Sequence, residues 1–516
     1  MKPPIRMGTA AAVVAGGVLL SRILGLVREG LIAALIGVSS EGDLYRQAFA
    51  IPDFLSYLLA GAYLTITLIP ILSKHLENGE PSRANQAFTS VFRFVGLAIV
   101  GLTILMWIFT PQLVDLVFPA VTDQSRLISM TRIVLPAQIF LVLGSVLMAA
   151  QYTQKRFVIP ALAPVVYNLG IIAGGLVGWA MGDPSPESFL WGAVLGSLVG
   201  NFGMQWIGTR RTDMRLTPVE QGNSAVREYL ILAIPLMLGL SVAVLDEQFV
   251  RWFGQLGDTG DVSALSFARQ LNMVPIGVIA QAAGVAAYPF LARLAASGKT
   301  SELNQTTERA ARNTMFIASA ATALLVVLAA PLVNLIYQYG KFDDDDARLV
   351  TSLLVIYAFS IPAWGLHQLL SRHFYAKRRM WVPVGIGTAA TAVAIPTWIL
   401  LHNALGVAGF ALASTLVMII YALGLLLAWG TDAGWDGVKR IGPAFARGIL
   451  SAAIAAVAAS PVVNYFDLED IGVLATFGVA LIGAVTAIAV FLFIAWMLKT
   501  PELALLRNRG RQVNEY

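Results

Sequence analysis

The sequence predicts an all-α integral membrane protein with about fourteen transmembrane helices, arranged as two parallel six-helix repeats plus two added C-terminal helices. Three observations lead there: the shortage of charge, the regular return of basic loops, and a segment pattern that occurs twice. Of the 516 residues, 57% are hydrophobic and 13% charged. Soluble domains carry about 25% charged residues, so this chain lacks the charge to coat a water-facing surface. A bilayer removes that need. The net charge of +5 is small and does not indicate nucleic-acid binding. There is no cysteine, which excludes disulfides, thiol catalysis and cysteine metal sites. Four histidines without an HExxH pattern argue against a zinc enzyme.

A helix needs about 20 mostly apolar residues to cross the hydrocarbon core. Fourteen stretches qualify: 8–36, 45–73, 87–110, 128–153, 157–181, 187–208, 228–254, 262–292, 312–338, 347–374, 382–402, 405–430, 443–465 and 471–498. The first resembles a signal peptide, because Lys2 and Arg6 precede an apolar run. It continues through Arg22 and Arg28 without a convincing small-residue cleavage site, so it reads as a retained helix. Pro52, Pro136, Pro235, Pro275 and Pro362 fall inside spans. Membrane bundles tolerate such kinks where neighbours satisfy the freed carbonyls.

Basic residues follow every second span: Lys74, His75 and Arg83; Lys155 and Arg156; Arg210, Arg211 and Arg215; Arg293, Lys299 and Arg309; Lys377, Arg378 and Arg379; Lys439 and Arg440; Arg507, Arg509 and Arg511. The intervening loops carry few or none, as in 182–186 and 467–470. The positive-inside rule then places both termini in the cytoplasm.

The two halves resemble each other. Pro70-Ile71-Leu72 with Gly79 parallels Pro289-Phe290-Leu291 with Gly298, and Pro111 matches Pro331. The run from Tyr152 through Lys155 to Pro160 parallels that from Tyr375 through Arg378 to Pro383. The offsets are 219, 220 and 223. Six helices per repeat put both copies in the same orientation. The expected divisions are 1–222, 223–432 and 433–516, the last holding helices 13 and 14 and a cytoplasmic tail.

Charged residues within spans cost about 2.5–3.5 kcal/mol each on insertion scales, so they face water or a partner. Arg22 and Glu29 are seven apart and share a face of helix 1, whereas Arg28 points about a third of a turn away. Glu29 either neutralises one arginine or serves a site; a cation remains in both cases. Asp43 precedes helix 2. Asp53 follows Pro52 and reads equally as a cap on the kinked helix or as a site residue. In helix 7, Asp246, Glu247 and Arg251 cluster, and Glu247 with Arg251 forms an i,i+4 pair. Arg269 in helix 8 has no carboxylate partner nearby on its own helix. His367 and His373 read as core or interface residues. The run Asp343 to Asp346 reads as a solvated helix start rather than a calcium loop. Arg22, Arg28 and Arg269 are then the leftover cations. Arginine's planar fork suits phosphate, so a cationic cavity suggests an anionic head group. No GxxxxGK motif supports ATP hydrolysis.

The run Ser21-Arg22-Ile23-Leu24-Gly25-Leu26-Val27-Arg28-Glu29 resembles the opening signature of the MurJ/MviN family. Asp43, Ala48, Phe49 and Pro52, then Pro70, continue the resemblance. So do Arg156, Phe157, Pro160, Pro164 and Asn168, and later Phe267-Ala268-Arg269, Gly340, Phe342, Tyr375 and Pro383. The resemblance implies a multidrug/oligosaccharidyl-lipid/polysaccharide exporter fold. It also implies outward flipping of lipid II, the undecaprenyl-pyrophosphate-linked peptidoglycan precursor, with no enzymatic step, cofactor or metal. It implies substrate binding by Arg22, Arg28, Arg269 and Asp43, with Glu29, Asp53, Ser56, Asp246, Glu247 and Arg251 in support. Membrane lipids and other cell-wall synthesis proteins are the further expected partners. Three positions depart from the family pattern: Ser56 replaces an arginine, Gly61 a glutamate and Ala268 an aspartate. Span 382–402 lacks the acidic or amide groups of a sodium site. Alternatives to lipid II are another polyprenyl-linked glycan, a drug, or a non-transporting scaffold for cell-wall enzymes.

Overall fold

The computed structural model describes residues 7–59, 64–218, 224–238, 242–280, 287–466 and 472–504. They form helices α1 (Met7–Ile36), α2 (Ser40–Ala48), α3 (Ala50–Leu58), α4 (Leu64–Glu77), α5 (Pro81–Ile108), α6 (Thr110–Val117), α7 (Gln124–Val134), α8 (Ala137–Thr153), α9 (Val158–Ala180), α10 (Pro186–Gly196) and α11 (Met204–Arg210). A π-helical segment, Ser197–Gly203, joins the last two. There follow α12 (Ala225–Leu238), α13 (Val242–Phe253), α14 (Asp261–Ala280), α15 (Tyr288–Ala296), α16 (Thr300–Tyr337), α17 (Asp344–Ala358), α18 (Ile361–Ala376), α19 (Trp381–Leu405), α20 (Val407–Ala433), α21 (Trp435–Asn464) and α22 (Val473–Met497). No strand occurs among the described residues. The protein is an all-α, multi-pass membrane protein.

Among the described residues nine helices are long and apolar enough to cross a bilayer, and ten if α17 and α18, bent by 42°, make one span. The stretch 45–73 divides into α2, α3 and α4, whereas α7 and α8, joined by a short turn at Pro136, together make one of the nine spans. Pro362 opens α18 after the bend, where its missing N–H costs nothing. Pro275, by contrast, lies inside continuous α14. Large apolar side chains cover the outer surface, among them Leu97, Trp179, Leu400, Val457 and Leu474. That surface would be untenable in water and is natural in lipid.

The chain forms two compact units. The first runs from α1 through α12 and includes two short later segments, Asp258–Ser263 and Tyr339–Phe342. Its core joins α3, α4, α5, α8 and α12 through Leu55, Leu68, Phe88, Leu147 and Tyr229. In the same unit α9 and α10 touch backbone to backbone. A Cβ on Gly170 would lie 2.5 Å from the Gly196 Cα, so only glycine permits this approach. The second unit holds α13, most of α14, and α15 to α22. In it α21 and α22 pack on α16, with Phe316 and Phe491 5.1 Å apart between ring centroids and small residues such as Ala323, Ala455 and Ala495 around them.

The internal repeat is written into the backbone. Gly79 and Gly298 adopt φ of 73° and 71°. Each closes its helix with the same Schellman pair of hydrogen bonds: Gly79 N to Leu76 O with Glu80 N to His75 O, and Gly298 N to Ala295 O with Lys299 N to Leu294 O. The second pair of corners repeats the motif without glycine, at Lys155 and Arg378.

Candidate functional site

In the first unit, Glu29 is almost fully buried and accepts from two arginines. Arg28 Nη2 donates to Glu29 Oε1 at 2.5 Å, and Arg46 Nη2 from α2 donates to Glu29 Oε2 at 2.5 Å. Arg28 Nη1 also donates to Asn168 Oδ1 on α9 at 3.0 Å, and Asn168 Nδ2 reaches the Ser21 carbonyl at 3.2 Å. Two guanidinium groups therefore share one carboxylate. Arg22 lies on the exposed side of α1, and no polar partner for it occurs among the described residues.

This arrangement corrects one expectation: Arg28 is not a leftover cation, because Glu29 pairs with it and with Arg46. Helical phase set that expectation, but the long arginine stem lets neighbouring residues meet despite their 100° separation. Arg46 and Asn168 were missing from the predicted site. Asn168 stood in a matched family segment. Arg46, three residues after Asp43, had only its charge near a span as a signal.

Asp43 is held inside the first unit by the segment Asp258–Ser263. Its carboxylate accepts from Gly260 N at 2.6 Å, Ser263 N at 2.8 Å and Ser263 Oγ at 2.8 Å. The segment's N–H groups open α14, where the helix dipole favours an anion. Burial pushes the Asp43 carboxyl up to about 6, against the downward pull of these hydrogen bonds. Nearby, Lys341 N donates to the Ala34 carbonyl at 2.9 Å, and Gly340 passes so close to Ala34 that a Cβ would lie 2.3 Å from that oxygen.

Asp53 sits in the first turn of α3, whose N-cap position is Phe49. Gln138 Nε2 from α8 approaches Asp53 Oδ1 at 3.4 Å, and Ser56 donates to Gln138 Oε1. The serine that replaces the family's arginine is thus tied to a buried amide. Gly61 lies outside the described residues.

In the second unit, Arg269 Nε donates to Asp246 Oδ2 at 2.8 Å and its Nη1 to Glu247 Oε2 at 3.3 Å. Arg251 Nη2 meets Glu247 Oε1 at 2.5 Å, as the i,i+4 spacing predicts. Ser414 on α20 donates to Asp246. Arg269 is therefore paired, contrary to the expectation that it stands alone. Its partners sit on α13, across a turn that sequence spacing does not close. His367 stacks near Tyr421, and His373 lies beside Thr307 at 2.8 Å, both buried. Asp343 caps α17 by accepting from Asp346 N at 2.9 Å, as a helix start should.

The comparisons with known proteins fit this geometry. The family model described as "Lipid II flippase MurJ" matches residues 32–467. A probable lipid II flippase MurJ of Rhizobium meliloti (strain 1021) is 25% identical over 515 residues, covering 96% of this chain and 95% of its own. A lipid II flippase MurJ of Burkholderia cenocepacia is 27% identical over 404 residues, covering 74% and 76%. Among solved structures, a lipid II flippase MurJ in an inward closed conformation superposes with a TM-score of 0.75 at 22% identity, covering 95% of this chain and all of that one. An inward-facing multidrug resistance MATE family transporter of the MOP superfamily gives 0.68 at 14% identity, covering 82% and 95%. These two show a shared fold. The match to the family model extends over most of the sequence, and the chain belongs to the lipid II flippase MurJ family.

Proposed function

We propose that this chain moves lipid II from the inner to the outer leaflet of a bacterial cytoplasmic membrane, exposing its binding residues alternately to the two sides. The observation that carries the reading is the arginine cluster at Glu29, where Arg28 and Arg46 meet on one carboxylate while Arg22 stands exposed on the same helix. A pyrophosphate matches the bidentate fork of arginine. Arg269 and Asp43 join as binding residues of the second and first units, with both termini cytoplasmic. No bond is made or broken. Moving one charge across 100 mV is worth about 2.3 kcal/mol, so a membrane potential can bias the cycle.

The test is complementation of a bacterium depleted of its own lipid II flippase. The unmodified chain should restore growth, and Arg22→Ala or Arg28→Ala should not, at equal membrane expression. Normal growth with both alanine variants sinks the cationic-site reading. A second reading, another polyprenyl-linked glycan, is favoured by Ser56, which is bonded to Gln138 where the family usually has arginine. It gains if the unmodified chain fails to complement and Ser56→Arg switches complementation on.

A further inference from the structure

On the first unit a polar cavity and an apolar groove meet at one residue, Trp191. The cavity, about 400 Å³, lies where α5 ends and α7 begins, and Trp107, Ser125, Ser129 and Arg132 line it with Trp191. The groove, about 530 Å³, runs along α9 and α10. Its floor is glycine. Gly170 and Gly174 pack against the backbone of Gly192 and Gly196, and Gly178 against Ser188, so that α9 and α10 approach closely and backbone lines the groove. Exposed Leu169, Val177, Met181 and Leu195 line it as well.

Arg132 is set for a ligand. Its guanidinium lies 4.6 Å from the Trp107 ring centroid, and its Nε donates to the Trp107 carbonyl at 3.1 Å. Those contacts fix the fork and leave both Nη atoms without a partner among the described residues. The residues lining the cavity include this one cation and no carboxylate. Ser125, Ser129 and Arg132 fall at spacings of four and three on α7, hence on one face; the Ser125 hydroxyl donates to Asp123 Oδ1 at 2.8 Å, which leaves Ser129 and Arg132 to a ligand.

We propose that this is a binding site for one anionic glycerophospholipid, with its phosphate on Arg132 and Ser129 and one acyl chain in the groove. The groove runs along α9, one of the helices long and apolar enough to cross a bilayer, so hydrocarbon rather than water fills it. From Val166 to Met181 it runs about 22 Å at 1.5 Å per residue, enough for one leaflet but short of the ~30 Å core. Two tryptophans at the headgroup end match the interfacial preference of indole. An uncompensated arginine favours a phosphate that carries no ammonium of its own. The leaflet is the one opposite the basic loops. The occupant is a bilayer lipid held at the protein's flank, distinct from the transported molecule.

The test is native mass spectrometry of the full chain released from detergent with either phosphatidylglycerol or phosphatidylcholine. The unmodified protein should retain one phosphatidylglycerol in preference to phosphatidylcholine. Arg132→Gln should weaken phosphatidylglycerol retention about fivefold, the effect of one basic residue near an anionic lipid, and leave phosphatidylcholine unchanged. Leu195→Trp, which fills the groove, should weaken both. Arg211→Gln, in a basic loop, should change neither. No preference in the unmodified protein overturns the proposal, as does a preference lost in Arg211→Gln but kept in Arg132→Gln. If Arg132→Gln does not fold, because the arginine also closes α5, Ser129→Glu decides. Phosphatidylglycerol retained as before with a carboxylate in the cavity overturns the site.

Discussion

Lys155 and Arg378, 223 positions apart, both hold the left-handed backbone conformation, with φ of 56° and 57°. Each closes the same Schellman corner, Lys155 N to Tyr152 O and Arg378 N to Tyr375 O. Glycine is the usual residue there, and a side chain in this conformation costs about 1–2 kcal/mol. Among the described residues three non-glycine positions accept that cost, Lys155, Arg378 and Lys499; all are basic, and the first two stand at matching places in the two halves. The charge suits the negative end of each preceding helix.

Lys155→Gly and Arg378→Gly should therefore leave the fold intact and raise thermal stability slightly, or leave it unchanged, as strain relief offsets lost charge. Lys155→Val should lower it by about 1–2 kcal/mol, since a β-branched residue fits this conformation poorly. Thermal unfolding of the detergent-solubilised protein checks both. A strongly destabilised glycine variant would show that the side chains, rather than the corners, hold these turns.

Glu29 is the hinge of the first-unit cluster. Glu29→Gln should be worse than removal of either arginine alone, because it leaves two buried cations facing each other. Breaking a buried pair from one side costs about 3–5 kcal/mol. Adding Arg46→Gln should recover part of that loss. Equal melting temperatures for the single and double variants would exclude the shared-carboxylate description.

Arg269 is neutralised by Asp246 and Glu247. Asp246→Asn should destabilise the second unit and free the Arg269 fork, whereas Glu247→Gln should cost less, since Glu247 is 46% exposed and largely screened. Limited proteolysis and melting temperature together read the difference. The reverse order of severity would place the main partner of Arg269 on Glu247.

Asp43 gathers three donors from Gly260 and Ser263. Asp43→Ala should expose those two amides, and their hydrogen exchange should accelerate at least tenfold, one hydrogen bond to a charged group being worth about 1.5–3 kcal/mol. Asp43→Asn should be intermediate, because its amide keeps one acceptor oxygen and puts a donor where the second was. Unchanged exchange at both amides would show that the segment holds its place without Asp43.

The sequence by itself determined the class of the molecule. Too little charge for water, apolar runs of membrane length and basic loops at every second turn are local quantities, and no packing is needed to read them. The duplication was legible as well, because Schellman corners need particular residues at fixed spacing, and Gly79 and Gly298 supply them. Local spacing also placed the Glu247–Arg251 pair and the Asp343 cap. What the tertiary structure alone decided is which charges find partners. Arg28 and Arg46 meet on Glu29, Arg269 finds α13, and Asp43 finds a segment 217 positions away. Helical phase gives the direction of a side chain from its own axis, but not which neighbouring helix lies there or how far a long guanidinium stem will bend to reach it. Buried charge is satisfied by whatever folding brings near, so its partners are properties of the packed chain.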